Sequence, residues 1–239
     1  MSSADNSAES PVGGYPGAPG APAHGGDLRD NARDKSQWRA LVRDQRDKVP
    51  PDTRTAEAEA LTKAVCSPDI AGAAHTVCGY VPFGSEPGSL ALLDALLSVH
   101  VQVLLPVIPE RAGPLDWAPY TGPSSLRDGP ISGLKEPAAD TLGSAAISRA
   151  EVVLVPALAV DRSGVRLGKG GGYYDRSLPL AAPETELIAV VRDTELVDEL
   201  PTEPHDVRMT GALTPGYGHV RLPAGGTRPG DRASGVTNP

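Results

Sequence analysis

The segment RLGKGGGYYDR at 166–176 sets four glycines within five residues (Gly168, Gly170, Gly171 and Gly172) among Arg166, Lys169, Tyr173, Tyr174 and Asp175. Successive backbone N–H groups in a glycine-rich turn form a concave anion site where any Cβ would intrude, and two cations add full charge beside it. Phosphate binding is one reading; a flexible turn or a tightly packed corner is the other. The order is not the GxxxxGK[ST] phosphate loop. Nor is it the dinucleotide fingerprint, whose acidic ribose partner would stand about 20 residues further on. Paired tyrosines tilt the reading slightly towards a ligand, since a linker rarely carries them.

Other residues with chemical potential are scattered along the chain. Lys35 and Arg39, at i and i+4, emerge on one face of a predicted helix. Like charges at that spacing repel unless an anion answers them, although a solvated basic face is the plainer reading. Glu86 follows a predicted strand in GYVPFGSEPGSL (79–90), near a helix start where the macrodipole favours a carboxylate. His205–Asp206 is, by itself, a common loop dipeptide, and Asp161 ends a strand where it could fix a turn. Cys66 and Cys78 lack metal-ligand spacing and are expected to be buried thiols in a reducing compartment. No Ser-His-Asp or Cys-His arrangement is evident.

The elements that must position these groups alternate. Residues 34–49 read as a helix with Trp38, Leu41, Val42 and Gln45 on one stripe, stopped by Pro50–Pro51. Asp52 or Thr53 is expected to cap a second helix through AEAEALTKAV. Buried strands are predicted at 76–83, 101–108, 151–161 and 186–193. A helix with Ser89 at its N-cap is predicted at 89–99, and another begins at YYDRSLPLAA. A Pro/Gly-rich stretch at 109–146 holds a short strand at LDWAPY between long loops. Strands alternating with helices and lacking period-2 polarity imply a three-layer α/β/α single domain with a mostly parallel central sheet. Ligands of such sheets sit beyond the carboxyl ends of the strands.

The totals bound the setting. A chain of 239 residues, 39% hydrophobic, can bury a proper core. Its net charge of −8 argues against a general nucleic-acid binder. Residues 1–27 and 223–239 are Gly-, Pro- and Ala-rich and are expected to be disordered, leaving one domain at 28–222. Trimming the tails is expected to leave activity intact. The N-terminus has neither a basic nor an apolar leader region, and no apolar run approaches the ~20 residues that span a bilayer. A soluble cytoplasmic monomer without nucleic-acid or membrane partners is the expectation.

The long string VPALAVDRSGVRLGKGGGYYDRSL closely resembles the signature of the 5-formyltetrahydrofolate cyclo-ligase (methenyltetrahydrofolate synthetase) family, and the resemblance extends over roughly 34–215. It implies ATP-dependent, Mg²⁺-assisted cyclisation of 5-formyltetrahydrofolate to 5,10-methenyltetrahydrofolate. It places ATP on Lys35, Arg39, Arg166, Leu167, Gly168, Lys169, Gly170, Gly171, Gly172, Tyr173 and Tyr174. Folate falls to Val81, Glu86, Lys169, Gly170–Gly172 and Tyr173, and Mg²⁺ to Asp175 and Asp206, while Lys169 and Arg166 act on the transferring phosphoryl group. Trp117 and GLKEP (133–137) resemble the family's middle region, but Leu134 stands where an isoleucine is usual, which blurs that part of the pocket. The competing readings are a diverged member that binds without turnover and an unrelated sugar-phosphate- or thioester-binding α/β protein.

Overall fold

The computed structural model describes residues 33–204 and 206–223; the expected tail at 1–27, nearly all of that at 223–239, and His205 lie outside them. Helix α1 (Lys35–Asp47) starts where Asp34 accepts the Ser36 and Gln37 N–H groups, with the Gln37 side chain closing a capping box. Its buried stripe is Trp38, Val42 and Arg46, so the position expected for Gln45 is taken by a charged neighbour. Helix α2 (Pro51–Val65) begins at Pro51, not after an Asp52 or Thr53 cap. Proline has no N–H to leave unpaired at the first helical position, so the pair that ends α1 also starts α2. Cys66, just past α2, is exposed, against expectation, whereas Cys78 is buried.

Strand β1 (Thr76–Cys78) is shorter than predicted, and α3 (Leu90–Ser98) follows it. Then come β2 (Gln102–Val107), β3 (Asp116–Tyr120), and a hairpin of β4 (Leu126–Asp128) and β5 (Lys135–Pro137) that the loop-rich composition hid. The single strand predicted at 151–161 is two: β6 (Val152–Pro156) and β7 (Ala159–Asp161), which belong to different sheets. After them stand β8 (Arg166–Leu167), α4 (Tyr173–Ser177), β9 (Glu186–Val190), β10 (Leu196–Val197), β11 (Gly211–Thr214) and β12 (Gly218–Arg221).

The main sheet runs β12-β11-β9-β6-β1-β2-β3, parallel except for β3 and β12 at its edges. Alternate residues serve opposite faces. Val77, Val103, Val152, Leu154 and Ile188 meet α2 and α3, while Cys78, Leu104, Val153, Val155 and Leu187 meet the other core. That second face is closed by the 3₁₀ turn Ser144–Arg149, by Leu178 and by Val207 and Met209. Helix α1 instead packs on the small sheet β10-β7-β8 through Trp38, Val42, Val165, Leu167 and Val197.

Asp161 fixes the turn between β7 and β8. Its Oδ1 accepts the N–H groups of Ser163 and Val165, and its Oδ2 accepts that of Leu200. Gly164 in this turn has φ +88°, and a Cβ there would lie 2.5 Å from the Met209 carbonyl oxygen. Gly164→Ala is expected to destabilise the protein by ~1–3 kcal/mol, read as a lower denaturant midpoint. An unchanged midpoint would mean that this turn relaxes freely.

Candidate active site

From β1 the chain steps outward through β2 to β3, then returns to β6 on the other side of β1 and continues to β9 and β11. The strand order therefore reverses between β1 and β6, which opens a crevice beyond their carboxyl ends. A cavity of about 240 Å³ lies there, lined by Tyr80, Val81 and Glu86 after β1, by Pro156 and Ala157 after β6, and by residues 168–175. The early end of β1 supplies this geometry: Gly79 still bonds the Leu104 carbonyl at 2.8 Å, and the following residues are released from the ladder.

The glycine loop is clamped from behind by α1. Arg39 Nε donates to the Gly168 carbonyl at 2.9 Å and Arg43 Nη2 to the Lys169 carbonyl at 3.1 Å. Gly170 and Gly172 take φ of +101° and +68°, a region that side chains disfavour. With its carbonyls held by α1, the loop makes no backbone hydrogen bond through the N–H groups of residues 168–172 among the described residues. The helix expected at YYDRSLPLAA is a single turn, Tyr173–Ser177, followed by a 3₁₀ turn at Leu178–Leu180, because Pro179 cannot continue it. Positive charge at the loop therefore comes from side chains more than from a helix dipole.

Arg166 is the buried cation of the site. Its side chain is 7% exposed, it pairs with Asp175 Oδ1, and it lies 5.9 Å from the Tyr174 ring centroid. Burial pulls its guanidinium below the usual range, while the charge of Asp175 and, more weakly, that of Asp206 oppose this. Its Nε has no hydrogen-bond partner among the described residues. Leu167 faces the Trp38 cluster, so only its backbone is available to a ligand.

Lys169 reaches across the crevice. Its Nζ is 2.8 Å from Glu86 Oε1 and 3.8 Å from the Phe83 ring centroid; Lys169 is 41% exposed and Glu86 only 6%. Glu86 also accepts the Phe83 N–H at 3.1 Å, and α3 starts only at Leu90, so the carboxylate holds a turn and a lysine and does not cap the helix. Val81 lines the same cavity.

Lys35 and Arg39, adjacent on α1, part company. Lys35 Nζ sits 2.8 Å from Glu203 Oε2 and 3.0 Å from Asp206 Oδ2. Burial alone would lower its proton affinity, but these two carboxylates outweigh it and the net shift is upward. Asp175 and Asp206 thus each answer a cation, and among the described residues no group of three metal-binding side chains exists. Asp175 on Arg166 and Asp206 on Lys35 would suit an ion that brings phosphate and water as its remaining ligands, which is the habit of Mg²⁺. They would not make a closed cage for a bare metal.

Reasoning from sequence missed the support behind the crevice. Arg46 forms a two-pronged pair with Glu195 at 2.7 and 2.8 Å and donates to the Ala157 carbonyl at 2.6 Å. Arg192 bonds Glu57 at 2.7 Å and the Ser85 carbonyl at 3.1 Å. The available signal was an arginine four residues after Val42, on an apolar stripe. In the GLKEP segment, Lys135 lines the crevice and Glu136 accepts the Ile108 N–H at 2.8 Å, anchoring the end of β2. Trp117 lies in the core.

Comparison with known proteins decides the family, for residues 31–215 match the 5-formyltetrahydrofolate cyclo-ligase family. The chain belongs to that family. A cyclo-ligase of Mycolicibacterium smegmatis is 52% identical over 194 residues, covering 80% of this chain and 98% of the relative. The cyclo-ligase of Escherichia coli K12 is 31% identical over 178 residues, covering 73% and 97%. The fold matches that of 5,10-methenyltetrahydrofolate synthetase from Aquifex aeolicus with a TM-score of 0.66 at 22% identity, covering 84% of this chain and 98% of the other. Membership of the cyclo-ligase family places the chain among the ligases of folate metabolism. No helix among the described residues of this cyclo-ligase family member is long and apolar enough to cross a membrane.

Proposed function

We propose that this chain catalyses the ATP-dependent cyclisation of 5-formyltetrahydrofolate to 5,10-methenyltetrahydrofolate, releasing ADP and phosphate. The observation that carries this reading is the pairing, within one crevice, of a nearly buried carboxylate at Glu86 with the cations Lys169 and Arg166 of a glycine loop. A pterin presents a guanidine-like edge of N–H donors, which a carboxylate accepts. A triphosphate asks for free N–H groups and cations.

The chemical obstacle is the formyl oxygen, an amide oxygen that cannot depart as oxide. Its attack on the γ-phosphorus breaks the bond to ADP and leaves an iminium-like carbon bearing a phosphate ester. Folate N10 then forms the new C–N bond, the C–O bond breaks, inorganic phosphate departs with the former formyl oxygen, and N10 loses its proton. Positioning and charge neutralisation account for most of the catalysis in phosphoryl transfer, so no protein nucleophile is needed. Glu86 and Val81 orient the folate. Arg166, Lys169 and the loop N–H groups, at Gly168 and Gly170–Gly172, hold the phosphates, with Tyr173 beside them. Lys35 and Arg39 approach from α1. Asp175 and Asp206 would hold Mg²⁺, which when bound offsets phosphate charge.

Every group invoked comes from one chain, so a monomer suffices, and the cytoplasm, where ATP is available, fits this reading. Incubating the protein with 5-formyltetrahydrofolate, ATP and Mg²⁺ should raise the near-UV absorbance of the methenyl product, one ADP per turnover. Absence of ATP-dependent product at micromolar enzyme would refute the assignment.

A further inference from the structure

Tyr174 carries a hydroxyl that the fold buries and does not satisfy. Its Oη has no hydrogen-bond partner among the described residues, yet the side chain lines the same crevice as Glu86. An unpaired buried hydroxyl is costly, which makes it a candidate for a ligand's contact. Two charges bear on the phenol: Arg166, whose guanidinium carbon lies 5.9 Å from the ring centroid, and Glu86. Burial, followed by the negative charge of Glu86, pushes the phenol well above its ordinary range, so it stays protonated and offers an O–H donor. Tyr173 differs, since its ring is covered by Arg176, whose guanidinium carbon is 5.2 Å from the centroid.

The chemistry of a pterin edge makes use of such a donor. Reading along one side of the ring, the 2-amino group and N3–H are donors, and the next atom, the 4-oxo oxygen, is an acceptor. A carboxylate answers the first two, and a neutral hydroxyl donor beside it answers the third. We propose that Tyr174 Oη donates a hydrogen bond to the pterin 4-oxo oxygen, so that Glu86 and Tyr174 together read the ring edge and Tyr174 sets specificity for the folate and not the nucleotide. The proposal rests on Glu86 being the pterin's carboxylate. A site built to hydrogen-bond a polar substrate atom discriminates strongly against analogues that lack it, because its own buried group is then left unpaired.

The test is equilibrium titration by calorimetry, without turnover, of 5-formyltetrahydrofolate and of ATP separately. Tyr174→Phe is expected to weaken folate binding ~10-fold and leave ATP binding unchanged, whereas the ATP contact that the family resemblance implies for Tyr174 would weaken ATP binding instead. The thermal midpoint of the ligand-free variant should stay level or rise, because the substitution keeps the ring and removes an unsatisfied hydroxyl. Glu86→Gln, titrated in parallel, should also weaken folate binding. If Glu86→Gln binds folate like the parent, the pterin does not sit on Glu86 and both readings fall. If Glu86→Gln loses affinity and Tyr174→Phe does not, only the Tyr174 assignment falls. Weaker ATP binding, or equal weakening of both ligands in Tyr174→Phe, overturns it as well.

Discussion

Glu195→Ala is expected to lower the free energy of unfolding by ~3–5 kcal/mol, the largest stability loss of any single substitution considered for this chain. Arg46 and Glu195 are 1% and 4% exposed and meet through two hydrogen bonds of 2.7 and 2.8 Å. Burial alone would make the Arg46 guanidinium give up its proton more readily, and Glu195 reverses this, so the net shift is upward. Glu195 also accepts the Arg192 N–H at 2.8 Å. Its removal leaves Arg46 and Arg192 buried, with Glu57 pairing Arg192 alone. Because Arg46 holds the Ala157 carbonyl and Arg192 the Ser85 carbonyl, the floor of the crevice should loosen with the fold. Denaturant titration measures the effect, and a loss below ~1 kcal/mol would mean that water reaches these groups and replaces the pair.

Lys169→Ala is expected to lower kcat ~100-fold or more, about 2.7 kcal/mol of transition-state stabilisation, with a smaller change in KM for ATP. The ammonium is held on Glu86 at 2.8 Å, and its own carbonyl is held by Arg43. Once a pterin edge occupies the Glu86 carboxylate, that charge is free to meet the transferring phosphoryl group. Steady-state kinetics at saturating folate separate the two parameters. An unchanged kcat removes Lys169 from the chemistry and leaves it a role in holding Glu86 before folate arrives.

The parallel sheet was legible because Val152–Pro156 and Glu186–Val190 are apolar on both faces, a pattern that few solvent-facing strands show. With that sheet in hand, the rule of carboxyl ends placed the glycine loop beside the crevice. Periodicity could not reveal that the apolar run at 151–161 changes sheets, since both halves are buried. Nor could it shorten α4, where helix-compatible residues run into Pro179 only after the first turn. Among the candidate residues, Lys169 and Glu86 were each visible by type, but their contact joins segments far apart in the chain. Lys35 looked like half of a phosphate clamp; in the structure it answers Glu203 and Asp206. Arg46 stood on the apolar stripe four residues after Val42, but a charge there reads as solvated unless its buried partner is known.

The central claim is that the crevice brings the folate formyl oxygen to the γ-phosphorus of ATP. Turnover of 5-formyltetrahydrofolate labelled with ¹⁸O in the formyl group tests it most directly, with mass analysis of the inorganic phosphate released. Phosphorylation of that oxygen predicts one ¹⁸O in each phosphate formed. Unlabelled phosphate, with the ¹⁸O recovered in water, would contradict the account.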